Sequence, residues 1–466
     1  MSSVPAPFQP TILAAEARPM QYTRPLAFAI VVLGLVMLSL EFARPRVVSE
    51  MEEVALYTFA WGALGLYLLG AVREAPKAIL SSLYQVYYFI SVLAGATLVS
   101  FGARMNEIQQ PGYANGAFWM LLVCLIVSLE SIRVGYGLVE RRVGNRARQA
   151  PDIVQVASSM LFILFVAAVS FSILYFYGSP LTSGVNRILF WSVIAPPVLS
   201  PVRILIFLTF FLVCCLAMGR VSRRIAFLGR VLFLIYVFLG VVLLGEKASL
   251  FIIYLSAFLF VFAANSERIA ITTVSFVVIL VAITLGLFVA YTYETSGLGA
   301  DFVFARVALQ AQIPWSVLLE PEAILSDGLG YLERNLEVGT LREEISGRYL
   351  PASVLAAHSE SGTSLTGFMP AWQILFFGTS GGMIILIGFC IFLGAVQFYT
   401  VDAARRGKLI LSFVLFSAHF QLLSIWYVGN FNVAIILLFF TVILGIISLA
   451  PKIHVGARGE GLNYAQ

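Results

Sequence analysis

Long apolar runs alternate with short polar links along the chain, and the length of the runs decides what they form. A membrane-spanning helix needs about 20 mostly apolar residues. Twelve runs come near that length, at 26–42, 54–72, 79–101, 117–137, 155–177, 202–218, 226–244, 249–265, 269–291, 372–400, 409–428 and 433–450. The pattern predicts an all-α polytopic membrane protein with about twelve transmembrane helices. Only Gly245-Glu246-Lys247-Ala248 separates the seventh run from the eighth, which makes them a tight hairpin. The tenth run is long and contains Gly378, Gly381 and Gly382, the mark of an interfacial segment followed by the true span.

One polar interval is far longer than the rest. Residues 292–371 exceed ordinary connection lengths, and such a segment is either functional or disordered. Its apolar content, including Phe302, Phe304, Trp315, Tyr331 and Leu350, is too high for a disordered linker. Short helices are expected near 300–313, 321–336 and 340–348, folded over the end of the bundle. Within it, DFVFARVALQAQIPW (Asp301 to Trp315) stands out. In a helix, Arg306 and Gln310 share a face, with Phe302 one turn earlier. Pro314 lacks an N–H, so that helix should end or kink near it. A cation at a membrane edge is costly without a partner or a task, and the simplest partner for Arg306 is Asp301.

The charged residues orient this framework. Arg73 and Lys77 follow the second run, Arg133 to Arg148 the fourth, Arg220 to Arg224 the sixth, Arg268 the eighth, Arg405 to Lys408 the tenth and Lys452 the twelfth. Every even-numbered exit is basic, which places both termini in the cytoplasm by the positive-inside rule. The layout is then a cytoplasmic tail at 1–25, nine helices over 26–291, an outer loop domain at 292–371, three helices over 372–450 and a cytoplasmic tail at 451–466. No apolar core precedes Leu26, so the first helix is expected to act as an uncleaved anchor. Charged residues make up only 11% of the 466, against about a quarter in soluble domains, so most of the chain must face lipid or other apolar helices. The net charge of +5 sits in the links and is no nucleic-acid signature. Cys124, Cys214, Cys215 and Cys390 lie inside apolar runs without metal-ligand spacing, which suits packing.

On the outer face, cations stand beside apolar helix ends: Arg187, Lys247, Arg306 and Arg348. Guanidinium groups grip phosphate bidentately and lysine acts as a point charge, so a converging set at the lipid boundary suits a lipid-linked pyrophosphate. Each also has a plain structural reading: Lys247 pairs with Glu246 or snorkels, and Arg348 pairs with Glu343 or Glu344. His358 is the one histidine expected on an outer polar loop, with Glu360 beside it. A neutral imidazole can accept the proton of a sugar hydroxyl, and Glu360 would orient it or be the rival base. Glu130 and Arg133, three apart at a cytoplasmic helix end, are expected to pair. Glu50, Glu52 and Glu53 lie close to Arg44 and Arg46 and read as a solvated edge. No metal, nucleotide or dinucleotide motif appears in a supporting context.

Several of these stretches resemble one family. PLTSGVNRILFW, LLGEKASL, ARVALQAQIPW and HSESGTSLTG resemble motifs of Wzy-type O-antigen polymerases of Gram-negative bacteria, in the family's order, over roughly residues 155–385. The resemblance implies a metal-independent, GT-C-like glycosyltransferase of the bacterial inner membrane, without cofactor, active on the periplasmic face in lipopolysaccharide biosynthesis. It would move a growing glycan from undecaprenyl pyrophosphate to a lipid-linked repeat unit, with a chain-length regulator as a possible partner. Carried onto matching positions, it puts Arg187, Lys247 and Arg306 at the pyrophosphate, with Gln310 and Gln312 on phosphate or sugar. Arg348 and Trp315 join the substrate-binding set, and His358 stands near the acceptor hydroxyl. An O-antigen ligase would differ only in acceptor. A flippase or transporter would instead want charges at the membrane midplane, and the helix centres here carry almost none.

Overall fold

The computed structural model describes residues 23–43, 50–144, 147–183, 190–244, 248–266, 299–319, 347, 349–361 and 370–428. Its helices are α1 (Thr23–Ala43), α2 (Glu50–Glu74), α3 (Pro76–Ser81), α4 (Leu83–Ser100), α5 (Ala117–Val143), α6 (Ile153–Tyr177), α7 (Pro180–Ser183), α8 (Ser200–Met218), α9 (Arg223–Leu244), α10 (Ala248–Asn265), α11 (Gly299–Ala308), α12 (Gln312–Val317), α13 (Ala352–Ser361), α14 (Ala371–Arg405) and α15 (Leu409–Val428). Strands β1 (Arg104–Met105) and β2 (Gln110–Pro111) form a small antiparallel hairpin between α4 and α5.

Eight of the described helices are long and apolar enough to cross a membrane. They coincide with the first seven runs and the tenth, and the eighth and eleventh runs are the apolar helices α10 and α15. The ninth and twelfth runs lie outside the described residues. Phe28, Leu66, Leu161, Phe176, Leu234 and Ile384 point outward with 65–72% of their surface exposed. Water would penalise such a display, whereas hydrocarbon accommodates it as long as each helix satisfies its own backbone. The protein is therefore an all-α, multi-pass membrane protein.

Two buried helices act as spines. α5 is the more enclosed and packs against α14, α1 and α4, and α8 is wrapped by α6, α9, α10 and α15. Contact between α5 and α14 is close because glycines meet there: Gly135 lies against the main chain at Ile391, and Gly394 against the main chain at Ile132 and Tyr136. Small residues let backbones approach where no hydrophobic force draws helices together in lipid. Around α8, Tyr236 Oη donates to the Ile163 carbonyl (2.8 Å), Tyr254 Oη donates to the Tyr236 carbonyl (2.8 Å), and Phe211 stacks on Phe416 at 4.4 Å. All four cysteines are buried, as expected of packing residues.

Two local details depart from the simple run count. The third run is two helices, because the chain turns at Ser82, whose hydroxyl donates to the Ala78 carbonyl. The tenth run breaks at Gly378, where φ +67 and ψ 175 suit only glycine, and the short leading segment folds back until Gln373 lies against Gly382. The break separates a short leading segment from a membrane-length span, Phe377–Arg405.

The basic links gather at one end. Arg148 donates to Asn265, joining the link after α5 to the end of α10. Gln149 N donates to the Arg405 carbonyl, and Arg220 shares a cleft with Arg148 and Arg405. Thr23, Glu74, Glu130 and Arg133 meet at the same end of α1, α2 and α5. Glu130 and Arg133 pair as expected, at 2.5 Å, and Glu74 joins from the far side of the guanidinium at 2.6 Å. Tyr67 Oη donates to Glu130 at 2.7 Å.

Candidate functional site

The stretch from Gly299 to Leu319 lies against α4 and the hairpin, toward the end away from the basic links. It is helical from Gly299, tightens into a 3-10 turn at Leu309–Ala311, and resumes as α12. The break therefore comes one turn before Pro314. Pro314 falls in the first turn of α12, where backbone N–H groups have no intrahelical acceptor and proline does no damage.

Docking depends on a missing side chain. At Gly95 of α4, a Cβ would stand 2.6 Å from the Val307 carbonyl oxygen and 3.1 Å from the Ala311 Cβ. Gly112 meets the Val99 carbonyl in the same way and presses the hairpin's exit onto α4. Gly95→Ala is expected to push the stretch off α4 at a cost of about 1–3 kcal/mol. Limited proteolysis of the detergent-solubilised protein checks this: cleavage between 299 and 319 should appear in the variant and be absent from the parent.

Polar contacts then lock the stretch. Trp315 is 1% exposed, and its indole N–H donates to the Tyr113 carbonyl at 2.9 Å. Asn115 Nδ2 donates to the Trp315 carbonyl at 2.8 Å, and Ser316 Oγ to the Gln312 carbonyl at 2.8 Å. Gln312 is fully buried, and its Nε2 donates to the Glu107 carboxylate of the hairpin turn. Nearby, Glu41 at the end of α1 accepts from Gly116 N (2.6 Å) and from Trp119 Nε1 (2.7 Å), fixing the start of α5.

The expected substrate residues thus separate by exposure. Arg306 is exposed, and no described residue pairs with it; Gln310 is half-exposed on the following turn. Gln312 and Trp315 are enclosed and hold the stretch in place. The backbone at His358 and Glu360 belongs to α13, and the described structure does not extend to their side chains. Arg187, Lys247 and Arg348 lie outside the described residues, as does the Asp301 side chain. Of the helices expected at 321–336 and 340–348, only Gly347 falls among the described residues.

Two residues arrive that sequence patterns did not single out. The hairpin packs on α11, bringing exposed Arg104 and half-exposed Glu107 beside the Arg306 helix. No local spacing connects Glu107 to Gln312, 205 residues apart. Among the described residues no cluster of His, Cys, Asp and Glu could hold a metal ion. Chemically, the face offers the guanidinium groups of Arg104 and Arg306 and the Glu107 carboxylate, which accepts from Gln312, on a packed support. No family model matches the chain, and neither a curated protein nor a solved structure shows significant similarity to it.

Proposed function

We propose that the protein is a polyprenyl-pyrophosphate-linked glycan polymerase, a metal-independent glycosyltransferase of the bacterial inner membrane whose working face is periplasmic. The observation carrying this reading is Arg306, an exposed cation on a stretch clamped to the spans away from the basic links. The positive-inside rule makes the basic end cytoplasmic, so the opposite end faces the periplasm. Lipid-linked glycans are polymerised on that side, as the resemblance of ARVALQAQIPW to polymerase motifs implies.

The reaction asks three things of such a face. The glycan leaves from a pyrophosphate, whose growing negative charge must be neutralised as the glycosidic bond breaks. A guanidinium aimed at that charge supplies this stabilisation. Arg306 is assigned that task, with Arg187, Lys247 and Arg348 as further phosphate contacts and Gln310 on phosphate or sugar. The attacking sugar hydroxyl must lose its proton, assigned to His358 with Glu360 as its orienter or rival. The remaining gain comes from holding two lipid-anchored glycans in line, which a rigid support favours. Gln312 and Trp315 serve by fixing the stretch that carries Arg306.

Arg306 is exposed, so its removal should spare the fold. In cells lacking their own polymerase, Arg306→Ala should insert at parental levels yet give only single repeat units on a lipopolysaccharide gel. A loss of about 100-fold or more in chain elongation is the scale expected when one stabiliser of a developing charge is removed. Parental chain lengths in the variant would exclude the assignment.

A further inference from the structure

The hairpin between α4 and α5 carries one base and one acid, Arg104 and Glu107. It is anchored from beneath: Met105 is fully buried and Ile108 nearly so, both in the core cluster that contains α5. Gly112 N donates to the Ala103 carbonyl (3.1 Å), and Gln109 N donates to the Met105 carbonyl (2.8 Å) to close the turn. Gln109 sits at φ +59, and a non-glycine backbone of that kind persists only where the surrounding structure imposes it. The Glu107 carboxylate is turned to the buried Gln312 amide.

Arg104 lies on β1, the strand that packs on α11, and is exposed. No described residue pairs with it, and the same is true of Arg306 on α11. Topology gives no reason for two such groups at this end, because arginines on the outer side oppose the charge bias that orients the spans. Packing gives none either, since both side chains are exposed. Aromatic rings accompany them: Phe101 precedes Arg104 by three residues and is 44% exposed, and Phe304 precedes Arg306 by two and is 56% exposed. Cations beside exposed rings suit an amphiphile with an anionic head and an apolar chain.

We propose that Arg104 joins Arg306 in binding the diphosphate of a polyprenyl-linked substrate. One guanidinium makes a two-bond fork with one phosphate group. A diphosphate has two such groups, and Arg104 supplies the donor for the second. The assignment rests on the polymerase reading for its place in the reaction, where Arg104 shares the charge left on the departing diphosphate. Binding itself is measurable without any transfer. Inorganic pyrophosphate is the other source of the same chemistry, and the exposed rings favour the form that carries a chain.

Equilibrium binding of farnesyl pyrophosphate, a soluble polyprenyl diphosphate, to the purified full chain in detergent tests it. R104A should weaken binding about tenfold, the scale of one lost hydrogen-bonded charge, and R306A should do the same. R104K keeps the charge without the planar fork and should recover part of the loss. R141Q/R142Q removes charge from exposed positions at the basic end of α5 and should bind as the parent does. Displacement by equimolar inorganic pyrophosphate would mark the diphosphate alone as the group recognised, and displacement only by a large excess would mark the chain as contributing; both support the proposal. If R104A fails to fold, R104Q, which keeps most of the side-chain stem, carries the test with the same expected loss. Unchanged binding in folded R104A or R104Q overturns the proposal, as does equal loss in R141Q/R142Q or a parent that binds no farnesyl pyrophosphate. The two readings fail separately: Arg104-dependent binding without glycan transfer removes the polymerase reading alone, and unchanged binding in an R104A protein that still polymerises removes this one alone.

Discussion

Gly135→Ala is expected to leave little folded protein, while Gly137→Ala two residues along the same helix should be tolerated. At Gly135 an added Cβ would lie 1.9 Å from the Ile391 carbonyl oxygen, 2.7 Å from its carbon and 2.9 Å from its Cα. Every obstacle is main chain, so no rotamer change relieves it, and α14 must move away from α5. The same contact is tight from the other side, where Gly394 would place a Cβ 2.2 Å from the Ile132 carbonyl oxygen. Separating the two helices gives up the most extensive helix–helix contact among the described residues, in a core that includes Leu129, Cys124 and Cys390. A loss of about 3 kcal/mol or more follows, at the upper end of overpacking penalties. At Gly137 nothing lies within 4 Å, and alanine there should gain up to about 1 kcal/mol of helix propensity. Thermal unfolding in detergent, read side by side for the two variants, checks both. Similar midpoints would mean that α5 and α14 do not meet at these glycines.

Arg133→Ala should have the second-largest effect. The guanidinium is 10% exposed and lies between Glu74 (12% exposed) and Glu130 (25% exposed), with Thr23 Oγ1 also accepting from it at 3.2 Å. Its removal leaves two carboxylates facing each other among α1, α2 and α5 with no cation to offset them. Breaking a buried charge network from one side costs about 3–5 kcal/mol. The cost belongs to the abandoned carboxylates, so a double-mutant cycle should reveal it. Arg133→Ala with Glu130→Ala should be more stable than the sum of the single losses. Strict additivity would mean that the three side chains act independently. Arg133→Lys should fall between, because an ammonium cannot span both carboxylates with a planar fork.

What was legible in the sequence, and what was not, follows from the range of each interaction. Spans were legible because their signal is local and repeated, and the gathering of Arg148, Arg220 and Arg405 followed from charge alternation alone. The break at Gly378 and the Glu130–Arg133 pair were legible for the same reason: each depends on residues close in the chain. The docking of the stretch around Arg306 could be expected from its composition, but not the surface it meets. That surface exists because Gly95, unremarkable inside an apolar run, lacks a side chain where Val307 and Ala311 arrive. Glu107 drew no notice because its partner Gln312 is distant in sequence, and Glu41 because its donors, the Gly116 main-chain N–H and the Trp119 indole N–H, lie more than 70 residues away at the start of α5. Trp315 carries an ambiguous signal: an indole at a membrane edge suits a sugar or a packed anchor, and here its N–H is used inward on Tyr113. The helix was expected to end or kink near Pro314, and it does so at Leu309–Ala311, one turn earlier, because the proline itself fits the first turn of α12.

The most direct test of the account is made with purified protein in liposomes, supplied with a defined undecaprenyl-pyrophosphate-linked repeat unit and no divalent metal. A polymerase should give a ladder of lengthening glycans from the parent, none from Arg306→Ala, and no transfer when lipid A core replaces the lipid-linked acceptor. Transfer to lipid A core would make the protein a ligase built on the same face. A parental ladder from Arg306→Ala, or no glycan transfer to either acceptor by folded parent protein, would contradict the account.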